Sequence, residues 1–112
     1  MNTQLNTVRS IEAQVVGVSF EGRQVIVSRL TIGEEVFLER DPHNPYDKNA
    51  VKVMNWNGQQ LGFLDKVLAA SLAAKLDHFG EPVSAQVVAI VEGFSLNSKV
   101  GIRIQFELPA FA

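Results

Sequence analysis

No cysteine occurs among the 112 residues. That excludes disulfides, thiol catalysis and thiolate metal sites. Charge of one sign is lacking as well. Ten Lys and Arg stand against 12 Asp and Glu, leaving a net charge of -2 and a pI near 5.6. This argues against broad electrostatic adhesion to nucleic acid or an acidic membrane, while leaving room for a small basic site on an acidic body. Uninterrupted apolar runs extend over only a few residues, so no membrane-spanning segment is expected. Residues 1–12 are polar and lack the apolar core of a signal peptide. A cytoplasmic setting is the expectation. Histidine is scarce: His43 and His78 are the two present. There is no Gly-x-Ser-x-Gly elbow and no Gly-rich phosphate loop before a helix.

What the chain does have is a globular composition, 46% hydrophobic and 20% charged, at a length that suits one domain. Its most distinctive stretch is Asp41-Pro42-His43-Asn44-Pro45-Tyr46-Asp47-Lys48-Asn49-Ala50. Two prolines bias Asp41 and Asn44 away from helix. Asp and Asn side chains in such a run bond their own backbone. A simple turn needs only about two residues. A longer, stiffened loop carrying a stackable ring suits a binding element equally well.

Around this loop the apolar pattern has a period of two. Short strands are expected at residues 13–20, 24–30, 35–40, 50–55 and 59–64, with Asn57-Gly58 as a hairpin turn. The period then changes. Leu68, Leu72 and Leu76 recur every four residues, which predicts a helix over 66–78, capped by Asp65 and ended by Gly80 and Pro82. A sixth strand is expected at 83–91, buried on both faces, then a loop at 92–99. Val100, Ile102, Ile104, Phe106 and Leu108 alternate strictly with polar residues or glycine and predict a last strand. Residues 1–10 form a flexible leader, 11–108 the domain and 109–112 an apolar tail. The fold class is mainly β: a small antiparallel barrel of about six to seven strands with one main α-helix inserted late. The expected core is Val16, Val18, Val25, Val27, Val36, Leu38, Val51, Val53, Leu61, Leu68, Leu72, Leu76, Val87, Ile102, Ile104 and Phe106.

Three functions compete. A hydrolase would use His43, Asp41 and Asp47, but their spacing matches no zinc or calcium pattern. A protein-interaction or homodimerisation domain would use the apolar tail Leu108 to Ala112. A binder of single-stranded nucleic acid needs a ring for bases and a few donors for phosphate. Tyr46 is such a ring, with Phe20 and Phe63 at strand ends and Lys48, Lys52 and Lys66 nearby in sequence. Asp47 repels internal phosphates, yet a carboxylate accepts a hydrogen bond from a terminal hydroxyl. Equally, it caps its own turn through the amides of Asn49 or Ala50. No cofactor, metal or catalytic role is expected.

The runs Val-Gly-Val-Ser-Phe (16–20), Val36 to Val53, and Asn57-Gly58-Gln59-Gln60-Leu61-Gly62-Phe63-Leu64 resemble the HIRAN domain, over roughly residues 12–108. The Asn-Pro-Tyr-Asp-x-Asn-Ala core followed by Gly-x-x-x-Gly carries the resemblance. It implies an OB-like β-barrel that, in eukaryotic fork-remodelling ATPases, binds the 3′-hydroxyl end of single-stranded DNA. By that resemblance Tyr46 stacks on the terminal base, Asp47 contacts the terminal hydroxyl, Lys66 lies near phosphate and Phe20 is a second stacking position. With Asn44, Lys48 and Phe63 these make up the expected nucleic-acid-binding set. The chain departs from the family at Ser19 (arginine there), Glu21 (a further tyrosine) and Phe63 (histidine). An aromatic expected near Ser98 is missing, with Phe94 close by. Losing an arginine and gaining a glutamate reduces complementarity to phosphate. Without a Walker-type loop or a RING cysteine, the resemblance is to a freestanding, bacterial member.

Overall fold

The computed structural model describes residues 8–92 and 99–109. Residues 1–7 of the leader, 93–98 with Phe94 and Ser98, and 110–112 of the tail lie outside the described residues. Strands β1 (Val8–Gln14), β2 (Glu35–Arg40), β3 (Val51–Asn55), β4 (Gln60–Phe63), β5 (Val83–Val91) and β6 (Gly101–Pro109) form one sheet in the order β1-β6-β5-β2-β3-β4. Every pairing is antiparallel. Helices α1 (Arg23–Val27) and α2 (Lys66–Phe79) complete it. The sheet curls, and the chain just past β1 joins its two edges. Val15 still donates to the Ile102 carbonyl of β6, while Val16 exchanges both backbone bonds with Phe63 of β4, at 2.8 and 2.9 Å. This curled half-barrel of six antiparallel strands agrees with the small, mainly β barrel that the strand spacing predicts.

Alternation drives the burial. Val36 and Leu38 of β2, Val51 and Val53 of β3, and Ile102, Ile104, Phe106 and Leu108 of β6 all enter the core. Removing such a side chain from water stabilises by about 1.5–3 kcal/mol each. Leu72 and Leu76 of α2 close over the same core. Asp65 caps this helix by accepting the Leu68 amide at 2.9 Å, and Gly80 ends it. The helix and its caps, and the strands from β2 to β4, lie within a residue of expectation at each end.

The first third of the chain differs. The strand expected at 13–20 lies earlier: β1 runs from Val8 to Gln14, with residues 8–10 paired with β6 rather than part of a leader, and residues 15–20 follow as an isolated bridge at Val16 and a turn. Its outer positions Ser10, Glu12 and Gln14 are polar and exposed, and they alternate with Ile11 and Ala13 on the inner face. The strand expected at 24–30 is helix α1. Gln24 fixes it: the carboxamide donates to the Val18 and Val100 carbonyls and accepts the Val100 amide. In a helix Val25 and Val27 face apart, so Val27 is buried while Val25 is exposed. Val16 is exposed at the edge joint instead of buried. β5 is not buried on both faces: Ser84 and Gln86 point outwards between Ala85 and Val87. Among the described residues, no helix is long and apolar enough to cross a membrane.

Candidate nucleic-acid interface

Between β2 and β3 the loop is built from its own side chains. Asn44 is the hub. Its Oδ1 accepts the amides of Tyr46 (2.9 Å) and Asp47 (3.1 Å), and its Nδ2 donates to Asp41 Oδ2 (3.0 Å). Asp47 Oδ1 accepts the Asn49 amide at 2.9 Å. The loop base is closed by Asp41 N–H to the Ala50 carbonyl. Arg40 braces it from outside. Its Nη1 and Nη2 donate to the Ala50 and Lys48 carbonyls, and its Nε pairs with Asp77 of α2 at 2.9 Å. With both residues before its prolines kept from helix, the loop has few other shapes to adopt.

The consequence is a ring held out from the body. Tyr46 is 92% exposed, so it has no packing role. Beside it opens a hollow of about 500 Å³. Asp41, Asn44, Pro45, Tyr46 and Asp47 form one wall, and Phe63, Leu64 and Lys66, where β4 passes into α2, form another. Val16, Glu21 and Arg23 form the third. Five expected residues therefore converge here: Asn44, Tyr46, Asp47, Phe63 and Lys66.

Two do not. Phe20 stands outside the lining, 65% exposed on the turn after Gly17. Lys48 is exposed and contributes its carbonyl to the Arg40 brace, not its side chain to the hollow. Asn44 lines the hollow, but both ends of its carboxamide are engaged in the loop. Of the two readings of Asp47, the structure shows the turn cap: one oxygen accepts the Asn49 amide, and among the described residues no hydrogen bond reaches Oδ2. His43 is exposed and lies outside the hollow. Among the described residues no three histidine or carboxylate groups gather as a metal site.

Arg23 is the residue that sequence reasoning missed. It is buried in the wall, donating from Nη1 to the Gly17 carbonyl (2.9 Å) and pairing through Nη2 with Glu21 (2.6 Å). Its guanidinium carbon lies 5.3 Å from the centre of the Phe63 ring, within reach of a cation–π attraction. No local sequence signal marks it, because its place in the wall follows from α1. The hollow thus sets Arg23 and Lys66 against Glu21, Asp41 and Asp47.

This geometry has relatives. Human helicase-like transcription factor is 60% identical to the chain over 45 residues, which are 40% of this chain and 4% of that protein; the rabbit protein matches to the same extent. The chain therefore spans a small fraction of the length of these relatives. The crystal structure of the HIRAN domain of human HLTF matches with a TM-score of 0.64 at 34% identity, over 91% of this chain and 78% of that one. The NMR structure of the HLTF HIRAN domain in its DNA-bound conformation matches with a TM-score of 0.56 at 34% identity, over 87% and 71%. The sequence model of the HIRAN domain matches residues 8–109, and this chain belongs to the HIRAN domain family.

Proposed function

We propose that the chain is a non-catalytic module that takes up the 3′-hydroxyl end of single-stranded DNA. The observation that carries this reading is the pairing of a 92% exposed Tyr46 with a hollow walled by Asp47. The DNA-bound conformation recorded for the related HLTF domain supports a nucleic-acid ligand. In this mechanism the terminal base stacks on Tyr46, a contact worth about 1–3 kcal/mol. The Oδ2 atom of Asp47 accepts a hydrogen bond from the terminal hydroxyl, which an internal phosphodiester cannot offer. Phe63 supplies a second apolar face. Lys66 meets the nearest phosphate, with Arg23 beside it held by Glu21, while Asn44 and Arg40 keep the loop in shape.

Few cations face the hollow, so affinity is expected in the micromolar range with a shallow dependence on salt. Fluorescence anisotropy with paired oligonucleotides, identical except for a 3′-hydroxyl or a 3′-phosphate, tests the proposal. Tighter binding of the hydroxyl form is expected. Equal affinity for both rejects end reading, and no binding of either rejects the ligand class.

A further inference from the structure

A second hollow lies on the outer face of the sheet, at the end of β3 remote from the Tyr46 loop. Side chains alternate along β2 and β3. Val36, Leu38, Val51 and Val53 enter the core, leaving Phe37, Glu39, Lys52 and Met54 on the outer face. Phe37 lies opposite Met54 in the register. Trp56 follows in the same alternation and is 71% exposed. A hollow of about 390 Å³ is lined by these three, with Glu39, Glu81 and Pro82. It shares no residue with the hollow beside Tyr46.

Trp56 is presented by a rigid turn. Asn55, itself buried, accepts the amides of Asn57 (3.0 Å) and Gln59 (2.8 Å) on Oδ1 and donates from Nδ2 to Gln59 Oε1 (2.9 Å). A ring fixed in this way loses little freedom when it is covered. Large aromatic side chains left in water on such a turn are characteristic anchors of protein contacts.

Charge selects the occupant. Glu39 and Glu81 rim the hollow, and among the described residues neither forms an ion pair. Lys52 lies opposite Glu39 in the register, but no pair within salt-bridge distance results. Two carboxylates repel a phosphate backbone, so this face does not extend the strand-end site. They attract a cation, and the indole face attracts the same group. Phe37, Met54 and Pro82 accept its aliphatic neighbours. A second copy of the chain, with its net charge of -2, suits an acidic face poorly. We propose that the Trp56 face docks a basic, apolar segment of a partner protein, with a lysine or arginine set against the indole and the carboxylates of Glu39 and Glu81.

Trp56 is the one tryptophan in the chain, so its emission reads this face directly. The test titrates the full chain with short synthetic peptides in which leucine alternates with arginine, serine or glutamate. The arginine peptide alone is expected to shift the emission saturably. Its affinity should fall at least ~10-fold in the Glu39→Gln/Glu81→Gln double variant and stay unchanged in Tyr46→Ala. An equal response to the serine or glutamate peptide overturns the proposal, as does undiminished binding by the double variant or no saturation below millimolar peptide. Self-association abolished by Trp56→Ser assigns the face to a second copy instead. Displacement of the peptide by a single-stranded oligonucleotide assigns it to nucleic acid.

Discussion

Glu21 holds its carboxylate 2.6 Å from the Arg23 guanidinium, on the wall of the hollow beside Tyr46. The arginine side chain is 9% exposed and the glutamate 76%. The glutamate backbone lies at φ 55, in the left-handed region that a non-glycine residue adopts only at a cost. Glu21 therefore occupies a donor of Arg23 that an incoming phosphate would use. Its high exposure means the pair resists separation weakly. Glu21→Gln is expected to bind single-stranded oligonucleotides several-fold more tightly. The slope of log K against log salt should steepen by about 0.7, the value for one added phosphate contact. Anisotropy at a series of salt concentrations measures both. Weaker binding by the variant means that Glu21 orients Arg23 for the ligand instead of masking it.

Tyr46 touches little of the body, so its removal separates binding from folding. Tyr46→Ala should leave the melting temperature unchanged within error. If the terminal base stacks on the phenol, affinity falls ~5- to 150-fold, the equivalent of about 1–3 kcal/mol. A variant that melts early would instead place the ring in the fold, against its 92% exposure.

Asp47→Asn keeps the shape and removes the charge. The new carboxamide oxygen can still accept the Asn49 amide, so stability should change by less than about 1 kcal/mol. The neutral side chain no longer repels a phosphate. The variant should lose preference for a 3′-hydroxyl over a 3′-phosphate end, mainly by binding the phosphate form better. A preference that survives the substitution moves hydroxyl recognition to another group.

The loop itself was legible in the sequence because its structure is local. Asn44 bonds amides two and three residues ahead, and Asp47 one two residues ahead, so neighbouring letters hold the information. The strict alternation from Ile102 to Leu108 was legible for the same reason. Arg23 was not. Its place in the wall depends on α1, and α1 depends on Gln24 reaching Val100, 76 residues away. Nothing in the run Gln24-Val25-Ile26-Val27 distinguishes that helix from a strand, since β-branched residues favour the strand. Likewise Phe20 stands at a strand end in sequence, but in the structure it follows the turn at Gly17 and does not itself line the hollow, its ring flanking Gly17 beside Phe63 and Arg23.

Arg40 offers a test of whether loop rigidity matters to binding. Its guanidinium joins the Lys48 and Ala50 carbonyls to Asp77 on α2, and lysine cannot reproduce that fork. Arg40→Lys should destabilise by about 1–2 kcal/mol, because the partly buried Ala50 carbonyl loses its charged donor while the exposed Lys48 carbonyl turns to water. Amide exchange should quicken across residues 44–50, and oligonucleotide affinity should fall with it. Asp77→Ala should cost less, since the carbonyl contacts survive. If exchange quickens with no change in affinity, the loop does not need its brace in order to bind.

Gly62 tests the joint that brings the walls of the hollow together. A Cβ there would lie 2.3 Å from the Val16 carbonyl oxygen and 2.7 Å from Val15 Cγ1. The nearer atom is backbone and Val15 is buried, so no flexible side chain can give way. Gly62→Ala must push Val15 and Val16 from β4 and break the paired bonds between Val16 and Phe63. The expected loss is about 2–4 kcal/mol. Gly58→Ala is the comparison: it meets nothing within 4 Å, but its φ of 79 strains a side chain, for about 1 kcal/mol. Urea unfolding should rank Gly62→Ala as the more damaging. Val16 and Phe63 both line the hollow, so the molecules of Gly62→Ala that still fold should bind oligonucleotide poorly, whereas those of Gly58→Ala should bind normally. Equal costs for the two variants would mean that the edges of the sheet are not tightly joined at this point, and that the wall holding Arg23 is positioned by α1 alone.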